Sequence, residues 1–180
     1  MRVVAGKYRH RLISFPNDSH VRPTKDRIRE ALFSALGDLE GLNILDLYAG
    51  SGAMGIEALS RNALHATFVD NNSLSIKVIK ENIKSLGINN AEILYKNDLD
   101  ALEMFKKENR LFDLVILDPP YQEGKYIEII SYLINNNLLS NNARIVTECN
   151  YELDFNSLDF KKIKTYHYGE IIINVLYLSI

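Results

Sequence analysis

The stretch that decides the fold is ILDLYAGSGAMGIEAL, residues 44–59. An apolar run of strand type leads to Asp46, the chain turns through Gly50, Ser51 and Gly52, and a segment of helical composition follows. Glycines here allow a tight turn and let a ligand approach backbone amides at the start of a helix. Asp70 closes the next strand-like run, about twenty residues on, where an acidic side chain can accept both hydroxyl protons of a ribose. Gly50 to Gly55 satisfies G-x-G-x-x-G. By itself that pattern fits a nicotinamide cofactor, S-adenosylmethionine, or a purely structural strand-to-helix turn.

Outward from this stretch the chain alternates. NILDLY, HATFVD, AEILY, FDLVILD and ARIVTE are short runs rich in β-branched residues. Helical stretches lie between them, at about 53–61, 73–86, 98–108 and 125–136. Strands apolar on both faces and separated by helices predict a parallel sheet covered on both sides. KKIKTYHY and IIINVLYL flank Gly169-Glu170 and predict an antiparallel hairpin at the sheet edge. The fold class is therefore α/β, a Rossmann-like, doubly wound and mostly parallel sheet that ends in a β-hairpin. Towards the N-terminus, VVAG and RLISF around Lys7-Tyr8-Arg9 suggest a small hairpin over residues 2–15. DRIREALFSAL then places Ile28, Ala31, Leu32, Ala35 and Leu36 at helical spacing. Residues 1–180 are expected to form one domain, with 1–23 as a basic arm and 24–180 as the α/β core.

Composition narrows the function. The chain is 47% hydrophobic and 24% charged, as soluble globular proteins are. No apolar run approaches the roughly 20 residues that span a bilayer. MRVVAGKYRHR lacks the apolar core of a secretion signal, and Cys149 is the only cysteine, so a cytoplasmic protein with no membrane partner is expected. His10, His20, His65 and His167 have no metal-ligand spacing, and no metal is expected. Net charge is -2, but residues 1–29 hold eight basic and two acidic side chains, or +6, leaving -8 on the rest. A basic arm on an acidic body suits either a phosphate-binding face or a merely solvated surface. On the first reading Arg2, Lys7, Arg9, Arg11 and Arg22 are the candidate RNA contacts.

The most specific signal is FDLVILDPPY, residues 112–121. A buried strand would deliver Asp118 to the carboxyl edge of the sheet, where ligands bind in such folds. Pro119 and Pro120 stiffen the loop, and Tyr121 supplies a flat face. An exocyclic base amine is a poor nucleophile because its lone pair is delocalised into the ring. A carboxylate and a backbone carbonyl accepting its protons would localise that pair and stabilise the charge that develops on nitrogen. An aromatic ring can stack on the extruded base. Asp46, four residues before Gly50, suits a cationic amino-acid moiety and would repel a pyrophosphate. Asp98 could accept the adenine amine of a cofactor, or simply cap the helix that begins there.

Together GKYRHR, RPTKDRIREALFSAL, YAGSGAMGIEALSR and DPPY resemble the RsmD family of 16S rRNA guanine-N2 methyltransferases, over nearly the whole chain. The resemblance implies a class I methyltransferase fold and S-adenosylmethionine as cofactor. It implies cofactor contacts at Thr24, Asp46, Gly50, Gly52, Asp70 and Asp98, and a target-base site at Asp118, Pro119 and Tyr121. It also implies 16S rRNA, in assembled or assembling 30S subunits, as partner. The sequence departs from the pattern at Tyr48, where methyltransferases at large carry glycine, and at Asn62, where glycine is expected after Ser60-Arg61. Competing readings are a DNA adenine-N6 or cytosine-N4 methyltransferase, a non-catalytic RNA-binding module and an NAD-dependent dehydrogenase. Only about 40 residues precede the core, little for reading DNA sequence, and DPPY has no place in a dehydrogenase.

Overall fold

A computed structural model describes residues 1–16, 26–119 and 125–178. Arg22, Thr24, Pro120 and Tyr121 lie outside the described residues. The elements run α1 (Asp26–Leu36), β1 (Asn43–Asp46), α2 (Ala53–Ser60), β2 (His65–Asp70), α3 (Ser73–Leu86) and β3 (Ala91–Tyr95). They continue with α4 (Asp98–Lys107), β4 (Phe112–Leu117), α5 (Lys125–Asn135), β5 (Leu139–Cys149), β6 (Lys162–Tyr168) and β7 (Ile171–Tyr177).

The strands form one seven-stranded sheet in the order β3-β2-β1-β4-β5-β7-β6. Pairing is parallel from β3 through β5 and antiparallel for β5–β7 and β6–β7. Gly169, at φ 66°, makes the turn of the last hairpin. The chain winds outward from β1 to β3, then returns to lay β4 on the other side of β1. That reversal is a topological switch point, and the crevice at its carboxyl edge is where ligands bind in open α/β sheets.

The helices that link the parallel strands cover both faces of the sheet. On one face Ile56 and Leu59 of α2, Ile79 of α3 and Leu32 and Phe33 of α1 pack against Ile44, Phe68, Leu114 and Val146. On the other, Leu102 and Phe105 of α4 and Ile130 and Leu133 of α5 cover Leu45, Val69, Val115 and Ile145. Helical spacing in α1 anticipated Ile28, Leu32 and Leu36 at the core. Ala31 and Ala35 are half-buried instead, and Phe33 and Arg29 take the buried positions. Asn141 and Asn142 are exposed within β5, where its register against β4 shifts.

The N-terminal segment is hairpin-like but thin, with one bridge between Arg2 and Leu12. It docks on α2 through buried polar groups. Glu57 accepts from the Val4 and Ala5 amides at 2.8 and 3.0 Å. Ser60 takes Lys7 N–H on its carbonyl at 2.7 Å and Tyr8 N–H on Oγ at 2.9 Å. Val3, Tyr8 and Ile13 join the same apolar core as α1 and α2. Asn82 of α3, 2% exposed, donates to the carbonyls of Ser14 and Ser51 and accepts from Ser14 N–H, tying the segment to the glycine loop.

This docking requires glycine at position 6. Its φ is +80°, and a Cβ there would lie 1.8 Å from the Ser60 carbonyl oxygen. Gly6→Ala should destabilise the protein by about 2–4 kcal/mol through left-handed strain and overlap. The check is a lowered urea midpoint at an unchanged denaturant slope.

Candidate active site

The glycine loop leaves β1 at Asp46 and enters α2 at Gly52. Gly50 and Gly52 hold φ of 56° and 78°, conformations that side-chain-bearing residues resist. Gly55 is required for another reason, since a Cβ on it would sit 2.3 Å from the Phe68 ring. The loop's amides turn toward carboxylates: Gly55 N–H donates to Asp46 Oδ2 at 3.0 Å, and Gly50 N–H to Asp70 Oδ2 at 2.8 Å. Asp70 Oδ1 accepts from Asn72 N–H at 2.8 Å, which fixes the exit from β2.

These acids sit under tension. Burial, only partly offset by the Gly55 hydrogen bond and reinforced by Asp70, pushes the Asp46 carboxyl up to about 7. Burial also raises Asp70 despite its amide donors. Asp118 follows β4 directly, and Leu117 pairs with Thr147, so Asp118 and Glu148 lie one residue further along neighbouring strands. The Asp118 side chain opens to the crevice yet stands deep among protein atoms. That loss of surrounding water, then the charges of Glu148 and Asp46, hold its carboxyl well above the usual range. Pro119 is buried. The backbone of Glu148 is anchored by Tyr126 Oη, which donates to its carbonyl at 2.5 Å.

Asp98 meets a third set of partners. It does not cap α4; Asn97 does, accepting from Asp100 N–H at 2.8 Å. The capping role considered for Asp98 is thereby corrected. Its carboxylate instead accepts from Tyr48 Oη at 2.6 Å and Lys125 Nζ at 2.9 Å. Burial alone would raise this carboxyl, but those two donors bring it below its ordinary value.

The structure therefore brings Asp46, Gly50, Gly52 and Asp70 together at the carboxyl edge of β1 and β2, with Asp118 and Glu148 beside them at the ends of β4 and β5. Sequence reasoning missed Glu148, Lys125, Asn82 and Glu57, which stand in no recognisable motif. Tyr48 was visible only as a departure from a glycine pattern. Asn62 has φ 70°, which explains why glycine is expected there and why asparagine serves.

Of the arm cations, Arg2 pairs with Asp26 at 3.1 Å, and its carbonyl accepts from the fully buried Arg29. Arg11 donates to the Ser85 carbonyl at 3.1 Å. Lys7 stands over the Tyr8 ring, and Arg9 is exposed. Ser60 closes the end of α2 remote from the glycine loop, so Lys7 lies away from the crevice. No group of metal-binding residues occurs among the described residues. No described helix is long and apolar enough to cross a membrane.

A seven-stranded sheet with this order, a glycine loop turned onto acids and Asp-Pro-Pro after β4 define a class I methyltransferase fold. The chain belongs to the family described as conserved hypothetical protein 95, whose model matches residues 1–177, and so to the RsmD family its motifs resemble. It is 37% identical over 147 residues to ribosomal RNA small subunit methyltransferase D of Buchnera aphidicola, covering 81% of this chain and 76% of that protein. Among solved structures, a candidate methyltransferase of Escherichia coli matches with TM-score 0.88 at 29% identity, over 99% of this chain and 98% of that one. A Thermus thermophilus 16S rRNA N2 methyltransferase solved with AdoMet and guanosine shares the fold, with TM-score 0.70 at 20% identity over 90% of this chain and 44% of that one.

The raised Asp46 carboxyl makes a signed prediction. A carboxyl raised in the folded state stabilises that state below its unfolded value, and the benefit is lost as pH climbs to about 7. Asp46→Asn should therefore raise the melting temperature at pH 8, with a ceiling of roughly 4 kcal/mol, and make little difference at pH 4. Thermal melts of both proteins at the two pH values check this.

Proposed function

We propose that this protein transfers a methyl group from S-adenosylmethionine to the exocyclic N2 of a guanine in small-subunit rRNA. The observation that carries the cofactor assignment is the pairing of Gly50 and Gly55 amides with Asp70 and Asp46. In a dinucleotide site such amides face a pyrophosphate; here carboxylates hold them, and an anion would be repelled. The donor set fits S-adenosylmethionine, which supplies an electrophilic methyl on a positively charged sulfur. Asp46 would face the cationic amino-acid end, Asp70 the ribose hydroxyls, and Asp98 the adenine amine. Gly50 and Gly52 give close backbone approach, and Thr24 is a further candidate contact.

Asp118 and the Pro119 carbonyl would accept the protons of the target amine, concentrating its lone pair on nitrogen as positive charge develops there. Tyr121 would stack on the base. The name carried by the relatives supports rRNA and, through it, guanine N2. The exposed cations of the N-terminal segment, Lys7 and Arg9 foremost, would rest on RNA backbone, with Arg2, Arg11 and Arg22 adding to that field. A chain mostly committed to its cofactor sheet has little surface for reading sequence. It would instead recognise the shape of an assembled or assembling 30S particle with an unpaired guanine already displayed. We place the protein in the cytoplasm on the same grounds.

Asp118→Ala should cut turnover at least about 100-fold while leaving cofactor affinity nearly unchanged. Methyl transfer to 30S subunits, with nucleoside analysis of the product and calorimetry of cofactor binding, tests both halves. N6-methyladenosine as product would overturn the guanine assignment.

Ionised Asp118 is the form that accepts amine protons, and its raised carboxyl puts the acid limb of kcat/KM above the ordinary carboxylate range. Glu148→Gln removes a neighbouring negative charge and should move that limb to lower pH. An unshifted profile would show that the two groups do not interact during turnover.

A further inference from the structure

The surroundings of Asp98 contain two residues for which the proposed reaction has no role. Asp98 Oδ2 accepts from Tyr48 Oη at 2.6 Å and from Lys125 Nζ at 2.9 Å, while Oδ1 accepts from the Leu99 amide at 2.8 Å. The donors come from three places, the turn after β1, the first residue of α5 and the first turn of α4. Side-chain exposure is 24% for Lys125 and 11% for Asp98, so the pair escapes much of the screening that weakens surface ion pairs. Helix start chemistry does not account for it, because Asn97 already caps α4.

A carboxylate offers about four lone-pair sites. Tyr48 and Lys125 fill those on Oδ2, and Leu99 takes one on Oδ1, so among the described residues one acceptor site on Oδ1 is left open. We infer that Lys125 and Tyr48 are positioning residues that hold the Asp98 carboxylate ionised and oriented so that its remaining Oδ1 site accepts the exocyclic amine of the cofactor's adenine. The inference rests on the proposed reading that Asp98 meets that adenine. A partly buried carboxylate without a cation beside it drifts toward its protonated form and becomes a donor, which an amine cannot use. One free to rotate loses orientation as well. Lys125 removes the first fault, and the two-point hold on Oδ2 removes the second.

The consequence is selectivity for the purine. Hypoxanthine carries a carbonyl oxygen where adenine carries its amine, and a fixed carboxylate repels it. The experiment is calorimetric titration of S-adenosylhomocysteine and S-inosylhomocysteine into the wild type, Asp98→Asn, Lys125→Met, Lys125→Arg and Tyr48→Phe, with the melting temperature of each. The wild type should prefer the adenosyl ligand by about tenfold or more, the worth of one charge-assisted hydrogen bond. Asp98→Asn, whose amide can turn a donor to the carbonyl, should abolish or reverse that preference. Lys125→Met and Tyr48→Phe should reduce it to within about threefold, and Lys125→Arg should keep most of it.

An ion pair that merely braces the fold would lower the melting temperature or weaken both ligands in parallel, preserving their ratio. A wild-type ratio in Lys125→Met overturns the positioning role and leaves the Asp98 reading standing. A wild type that binds both ligands equally overturns the Asp98 reading, and the inference falls with it. Should Lys125→Met not fold, the near-isosteric Tyr48→Phe decides by the same ratio.

Discussion

Two backbone amides, those of Gly50 and Gly55, donate to carboxylates that close β2 and β1, and the surrounding structure is arranged around that pairing. For Gly55 to reach Asp46, α2 must begin directly above the end of β1, which brings its backbone onto Phe68 and forbids a side chain there. For Gly50 to reach Asp70, the loop must fold back over β2 through residues with positive φ. Asn82 then fixes the loop from behind through the Ser51 carbonyl. The arrangement costs stability, because Asp46 is buried and no cation among the described residues neutralises it. Its compensation is a crevice lined with carboxyls, whose ionised forms a ligand that brings positive charge would favour.

The basic N-terminal segment has two parts with different work. Arg2, held by Asp26, and Arg11, on the end of α3, are engaged with the body of the protein. Glu57 and Arg61 on α2 extend the same polar belt, at 2.9 Å from each other, with Arg61 lying over the Phe33 ring. Exposed pairs of this kind contribute little, but Glu57 is 1% exposed and its amide bonds to Val4 and Ala5 are shielded from water. The segment is thus a clasp across α1, α2 and α3 before it is anything else. A sequence excess of positive charge overstates what remains free to meet phosphate.

Much of the architecture was legible because β1, β2 and β4 are apolar on both faces and the helices between them follow turn signals. α3, bounded by Asn72 and Gly87, and the closing hairpin around Gly169 lie where periodicity put them. The N-terminal hairpin was legible only in outline, since its hydrogen bonds run to Glu57 and Ser60, not between two strands. Asp46, Asp70 and Asp118 could be singled out because each ends a strand beside a recognisable loop. Lys125 and Glu148 could not, because their significance comes from which strand lies beside which. β4 inserts next to β1, and β5 next to β4, and only that order puts Glu148 beside Asp118 and the start of α5 beside Asp98.

The switch point also separates two tasks. Acids on β1 and β2 lie on the side proposed for the cofactor, while Asp118 and Glu148, on β4 and β5, lie on the side proposed for the target base. Lys125 spans the boundary, because it begins the helix that follows the Asp-Pro-Pro segment yet bonds to the acid on α4. A substitution in α5 therefore acts on both sides at once, through Lys125 on Asp98 and through Tyr126 on the Glu148 carbonyl. Helix α5 carries no sequence motif of its own. Its first two residues nevertheless bond to the Asp98 carboxylate and the Glu148 carbonyl, which makes its placement as much a part of the site as the loops themselves.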